Sequence, residues 1–271
     1  MSLTSTSDSS LLLWLMAALV ALLAAYLFVG WVRRAQARSG WRDVLKPTLM
    51  AACALGVGMA SSMVLALSAE ALSFPLGYRW VMLPALVLGP IVACIPAAWL
   101  LARRRNWWTV GGCGLWLAAV AIAVQTGWIL AAGLRPGIHW KIELIAAAGA
   151  LATVGFIASL WLAYSDASSH GASKILWRVG AAALMVLTLV AGQEVVISSV
   201  RLLTQVGSIY QHQASSTWLC LVAGALVPTV MAALALDLSL RNRADRHRRS
   251  RSGIKLVLPQ RRKRRSNYPA R

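Results

Sequence analysis

A single carboxylate, Glu194, interrupts the apolar run LTLVAGQEVVISS (187–199), with Gln193 beside it. An acid inside such a run costs about 2.5–3.5 kcal/mol on membrane-insertion scales, so it is expected to face the interior of a bundle or a wet cavity. There it would act as a proton site, a cation ligand, or a hydrogen-bond hub joining Gln193 to Gln125. The alternative is a protonated structural acid among local polar partners. Met63 offers a thioether and Gln125 an amide, each inside another apolar run. His139, in RPGIHWK, and His212, in YQHQ, lie in polar connections at a similar depth. With Met63 and Glu194 they would form a metal site of mixed composition; alone, each is a solvated loop histidine. Glu70 closes its own apolar run and reads as an interfacial acid. Cys53, Cys94, Cys113 and Cys220 lie within apolar runs without paired metal spacing and read as small buried hydrophobes. The chain holds no P-loop, glycine-rich nucleotide fingerprint, paired zinc ligands or serine nucleophile elbow. No catalytic residue is assigned, and the chain reads as a non-enzyme.

The elements that must position these groups are seven apolar stretches, at about 11–32, 47–72, 80–101, 109–133, 143–164, 176–201 and 217–240. A helix needs about 20 apolar residues to cross a hydrocarbon core of roughly 30 Å. Backbone groups in lipid must pair within their own segment, so each stretch is predicted to be a helix. With 59% hydrophobic residues and a mean hydropathy of +0.65, little chain is left for a water-soluble domain. The predicted fold is therefore all-α, a polytopic membrane protein built as a bundle of seven transmembrane helices over 11–240. Residues 1–10 carry Asp8 and no Lys or Arg, unlike the basic start of a signal peptide, so they read as an extracytoplasmic N-terminus before a retained span.

Charge orients the bundle. Of the 27 Lys and Arg residues, 23 follow the first, third and seventh stretches or border the start of the sixth. The other side keeps only Arg79, Arg135, Lys141 and Arg201. The positive-inside rule predicts the N-terminus outside and the C-terminus in the cytoplasm, in a multi-pass protein of the inner (plasma) membrane. Most of the thirteen tryptophans fall near the ends of stretches, as an interfacial aromatic belt requires. Pro84, Pro90 and Pro96 in the third stretch and Pro228 in the seventh are expected to kink their helices.

The even-numbered stretches resemble one another. The second reads GVGMASSMVLALS (56–68), the fourth AVAIAVQTGWILA (119–131) and the sixth LTLVAGQEVVISS (187–199). Each leads from small residues into a polar or soft pair, one two-span hairpin after the last. One leading helix followed by three two-helix repeats accounts for seven spans, with parallel repeats arranged about an axis along the membrane normal.

Over about 50–240 this pattern resembles the bacterial MHYT domains. Those have seven spans and a Met-His-Tyr-Thr-like motif in the outer parts of the second, fourth and sixth. Gly56, Gly58 and Ser61 match the opening of the first motif, and Ser62 and Met63 take its Met-His places. In the second, Ala123, Val124 and Gln125 stand at Met-His-Tyr, Thr126 and Gly127 match, and Trp128 replaces the following Met. In the third, Gly192 matches the residue before the motif, and Gln193 and Glu194 stand at Met-His. The resemblance implies a membrane sensor that binds copper and responds to oxygen, carbon monoxide or nitric oxide. All three motif histidines are replaced here, by Met63, Val124 and Glu194. Copper favours imidazole and thioether ligands, so it enters by family resemblance alone. No stoichiometric copper is expected through Met63, Gln125 and Glu194, and no other cofactor is expected.

The tail, 241–271, carries thirteen basic residues and a single acid, Asp245, a composition that stays disordered in isolation. Beside a membrane, such a segment attracts anionic lipids, at about 1 kcal/mol per basic residue. No aromatic interleaving or DNA-binding helix points to a specific nucleic acid. The expected function is a non-enzymatic signalling or sensory membrane protein of MHYT type. It has degenerate motifs, no output domain, and a cytoplasmic or membrane protein as its partner. The alternative is a small transporter or transport accessory subunit that uses Glu194 as its intramembrane ionisable group.

Overall fold

The computed structural model describes residues 4–38, 40–70, 77–104, 106–135, 138–165, 173–202, 207–210 and 213–241. Seven of its helices are long and apolar enough to cross a membrane. They are α1 (Thr4–Gln36), α2 (Trp41–Ala69), α3 (Leu83–Arg103), α4 (Trp107–Ala131), α5 (Ile142–Ser165), α6 (Ser173–Ser198) and α7 (Ser216–Arg241). The chain is an all-α bundle of the multi-pass membrane type. Helix α1 begins at Thr4, so most of the segment read as an N-terminal leader is already helical. Helices α2 and α6 stop at Ala69 and Ser198, about one turn short of the expected 72 and 201, where the chain turns into the connections described below. The basic tail beyond Arg241 lies outside the described residues.

Helix α2 is the core of the bundle. In its most apolar stretch 78% of residues are buried, against 11% for α7. It packs along α1 and α3, and also meets α4, α6 and α7. Small side chains permit this crowding. A Cβ on Gly56 would lie 2.6 Å from the backbone nitrogen of Ile91, so α2 and α3 approach to a distance that only glycine allows. Proline shapes two helices. Pro84 sits in the first turn of α3, where its missing N–H costs nothing, while Pro90 and Pro96 lie inside that helix. In α7 a π-helical turn at Val222–Leu226 directly precedes Val227 and Pro228, and its wider winding makes room for the ring against the preceding turn.

The connections after α2, α4 and α6 gather at one end and knit into three two-stranded antiparallel sheets, which hydropathy did not predict. Strand β1 (Gly77–Tyr78) pairs with β6 (Ala214–Ser215), β2 (Leu134–Arg135) with β5 (Gly207–Ser208), and β3 (Ile138–Trp140) with β4 (Val200–Leu202). The long connection between α6 and α7 thus contributes a strand to each sheet. Ser208 pins this cap. Its Oγ donates between the carbonyls of Ala132 (2.8 Å) and Gly77 (3.1 Å), and accepts from the amides of Gly77 and Tyr210. At the end of α4, Gly133 adopts φ +58°, the left-handed geometry that closes a helix, with the Tyr210 ring against the place a side chain would fill.

At the opposite end, α1, α3 and α5 meet among arginines. Gln36 Nε2 donates to the Leu101 carbonyl and to Tyr164 Oη, both at 2.8 Å, and Tyr164 donates to the same carbonyl. Arg33 reaches the carbonyl of Ala163. The guanidinium of Arg103 lies 4.6 Å from the Trp99 ring centroid, and that of Arg42 5.5 Å from Trp41. The arginine-rich and arginine-poor connections therefore occupy opposite ends of the bundle. Helices α1 to α6, and α7 as far as Ala232, belong to the first of two compact units, Met1–Ala232. In the second, Ala233–Arg271, Arg241 forms an ion pair with Asp237 one turn earlier.

Candidate functional site

The three similar segments converge inside the bundle, toward the cap. Gln193 is 1% exposed, Gln125 3%, and Ser62 and Met63 are fully buried. Gln193 Nε2 donates a 2.9 Å hydrogen bond to Ser62 Oγ, joining α6 to α2. Ser62 passes its own hydrogen to the Met59 carbonyl at 3.1 Å, so its oxygen is left to accept. That fixes the orientation of the Gln193 amide. Helix α4 joins through Gln125, whose Nε2 lies 3.7 Å from the position a Cβ would take on Gly192. One turn further along α4, Trp128 is 2% exposed and meets the fully buried Tyr78 edge to face, with ring centroids 5.3 Å apart.

Glu194 is not part of this cluster. Its side chain is exposed on the flank of α6, contrary to the expectation that it faces the interior. The reason is helical geometry. Neighbouring residues on an α-helix point about 100° apart, and Gln193 holds the inward position. Glu194 lies four residues from the end of α6. Of the motif-equivalent candidates, Met63 and Gln125 are brought into the interior and Glu194 is not. His139 contributes its backbone to β3, opposite Arg201 of β4, while its side chain lies outside the described residues, as does all of His212. Among the described residues, no three of His, Cys, Asp and Glu come together as a metal-binding group. The cysteines split: Cys94 and Cys113 are buried, Cys220 is half-buried, and Cys53 is exposed, against the expectation that all four were buried.

No protein-family model, curated protein or solved structure matches this chain. Its functional reading therefore rests on its own residues.

Two cluster members were missed by sequence reasoning. Trp128 stood only as the replacement for a motif methionine, and Tyr78 was assigned no role. The available signal was spacing: Gln125 and Trp128 stand three apart and so share a helical face. Burial pushes the Tyr78 hydroxyl above the ordinary phenol range, so the group stays neutral and keeps its proton to donate. The cap also bears a groove of about 340 Å³, lined in part by Met82, Leu130, Trp140, Ile209 and Tyr210. Among the described residues, its lining holds no ionisable group other than the Tyr210 phenol.

Proposed function

We propose that this chain is a non-enzymatic integral membrane signalling protein of the MHYT type, in the inner (plasma) membrane of a bacterium. In this reading the N-terminus is outside and the arginine-rich end faces the cytoplasm. What supports it is one observation: Ser62, Gln125 and Gln193, from the three similar segments, share a single buried cluster. A polar joint linking α2, α4 and α6 ties together hairpins whose other ends lie among the arginines. A change in its bonding would alter the packing of those helices, which a partner protein at the cytoplasmic end would read. The basic tail is assigned to anionic lipid.

The test is genetic. Loss of the gene is expected to change a defined set of transcripts, and the wild-type chain to restore them. Gln193→Leu, expressed to the same level, is expected to fail. Proton or cation flux in reconstituted vesicles, abolished by Glu194→Gln, would support the transport reading instead. The outward position of Glu194 counts against it. For orientation, cysteines placed at Ser5 and Ser266 are expected to label from opposite sides of the membrane; labelling from one side would reject this topology.

A further inference from the structure

Four side chains in and beside the cluster end in buried polar atoms that meet no hydrogen-bond partner among the described residues. They are Gln125 Oε1, Gln193 Oε1, Trp128 Nε1 and the Tyr78 hydroxyl. All four residues are at least 97% buried, in a chain whose apolar exterior offers no water in exchange. They are also neighbours. Tyr78 touches Trp128, Trp128 stands one turn from Gln125, and Gln125 adjoins Gly192, the residue before Gln193.

The mixture of donors and acceptors selects the occupant. The two amide oxygens can only accept, the indole N–H can only donate, and the phenol does either. A metal cation would satisfy the amide oxygens but would face the positive end of the indole N–H dipole. The only carboxylate nearby in sequence, Glu194, is turned away. Neutral molecules that both donate and accept satisfy atoms of both kinds, and water is the smallest. Buried waters in proteins typically make about three hydrogen bonds to such otherwise unpaired groups.

We propose that bound water bridges Gln125, Gln193, Trp128 and Tyr78, making this a hydrated neutral site rather than a metal site. It concerns the same cluster as the signalling reading but does not depend on it, since hydration can be read whether or not the chain signals.

The experiment is millisecond hydroxyl-radical footprinting of the full chain in lipid vesicles, where radicals born from bound water oxidise the side chains beside it. Rates are read by mass spectrometry and normalised to the same residues in unfolded protein. Tyr78 and Trp128 are expected to react several-fold faster than Phe28 and Phe156, aromatic rings equally buried elsewhere in the bundle. In Gln193→Leu that excess should shrink. Gln193→Asn, which keeps the amide, provides a second variant should the first fail to fold, and should shift the rates of Tyr78 and Trp128 while leaving Phe28 and Phe156 unchanged. Rates for Tyr78 and Trp128 equal to those of the two phenylalanines would overturn the proposal. So would stoichiometric metal in washed wild-type protein that disappears in Gln125→Leu.

Discussion

Gln193 on α6 and Ser62 on α2 are joined by a 2.9 Å hydrogen bond at full burial, 131 residues apart in the chain. Ser62 has already given its hydrogen to Met59, so this bond exists only while Gln193 presents its amide nitrogen. Removing Ser62 leaves the Gln193 amide nitrogen without this acceptor in an apolar surrounding, and removing Gln193 leaves Ser62 bonded to Met59 alone. Gln193→Leu is therefore expected to destabilise the bundle by about 1 kcal/mol, within the range of interhelical hydrogen bonds in membranes. Glu194→Gln, one residue away and exposed, should change stability by less than about 0.5 kcal/mol. Reversible unfolding in mixed micelles measures both. A double-mutant cycle with Ser62→Ala isolates the coupling, and zero coupling would show that the bond contributes nothing.

Gly56 makes a sharper packing prediction. A methyl group there would meet the Ile91 backbone at 2.6 Å, and backbone cannot swing aside as a side chain can. Gly56→Ala is expected to cost about 1–3 kcal/mol as an overpacking substitution. Gly111→Ala on α4 has nothing within 4 Å of the new methyl and should be neutral or slightly stabilising. If the two variants unfold alike, the close α2–α3 contact is wrong.

Ser208→Ala is expected to loosen the cap without dissolving the helices. The hydroxyl bonds Ala132 and Gly77 as donor and the amides of Gly77 and Tyr210 as acceptor, so its loss leaves buried backbone groups unpaired at about 1–3 kcal/mol. Hydrogen exchange should accelerate at Gly77 and Tyr210 and stay slow in the middle of α2. Uniform protection throughout would mean that Ser208 is not the pin.

Tyr78 predicts a pH dependence at the alkaline end. Its folded pKa lies above the ordinary phenol value because the anion is excluded from a buried site. The unfolded chain then releases the proton first, near pH 10, and binds fewer protons than the folded one over the interval above it. The stabilising contribution is full below about pH 10 and is lost as pH rises through the folded pKa. Tyr78→Phe should flatten that loss. Ultraviolet titration of the folded protein should show a phenol that resists ionisation above pH 10, and that signal should be absent from the variant.

Washed protein loaded with copper is expected to retain none through the motif-equivalent residues. Met63 is buried, Glu194 faces outward, and Val124 has no ligating atom. Elemental analysis beside Met63→Ala and Glu194→Ala decides the matter. One copper per chain, lost in both variants, would restore the motif chemistry. Loss only in His139→Ala or His212→Ala would place a separate site in the connections.

The seven helices were legible in the sequence because the requirement they meet is one-dimensional. About twenty apolar residues in a row must be helical wherever they lie in the bundle. The partition of arginines between the two ends was equally local, and the folded chain places those connections at opposite ends. The similar segments 56–68, 119–131 and 187–199 fall in α2, α4 and α6, whose residues Ser62, Gln125 and Gln193 are buried close to one another. Only tertiary structure decided which of two adjacent polar residues, Gln193 or Glu194, turned inward. Hydropathy carries no rotational phase when a helix is apolar on every side, and one residue is a rotation of about 100°. The cap strands were illegible for a related reason. Each is only two or three residues long, too short for a period to register, and its partner lies in a different connection. Trp128 and Tyr78 became site residues only through contact with each other, because burial of an aromatic near a span end depends on what the fold lays over it.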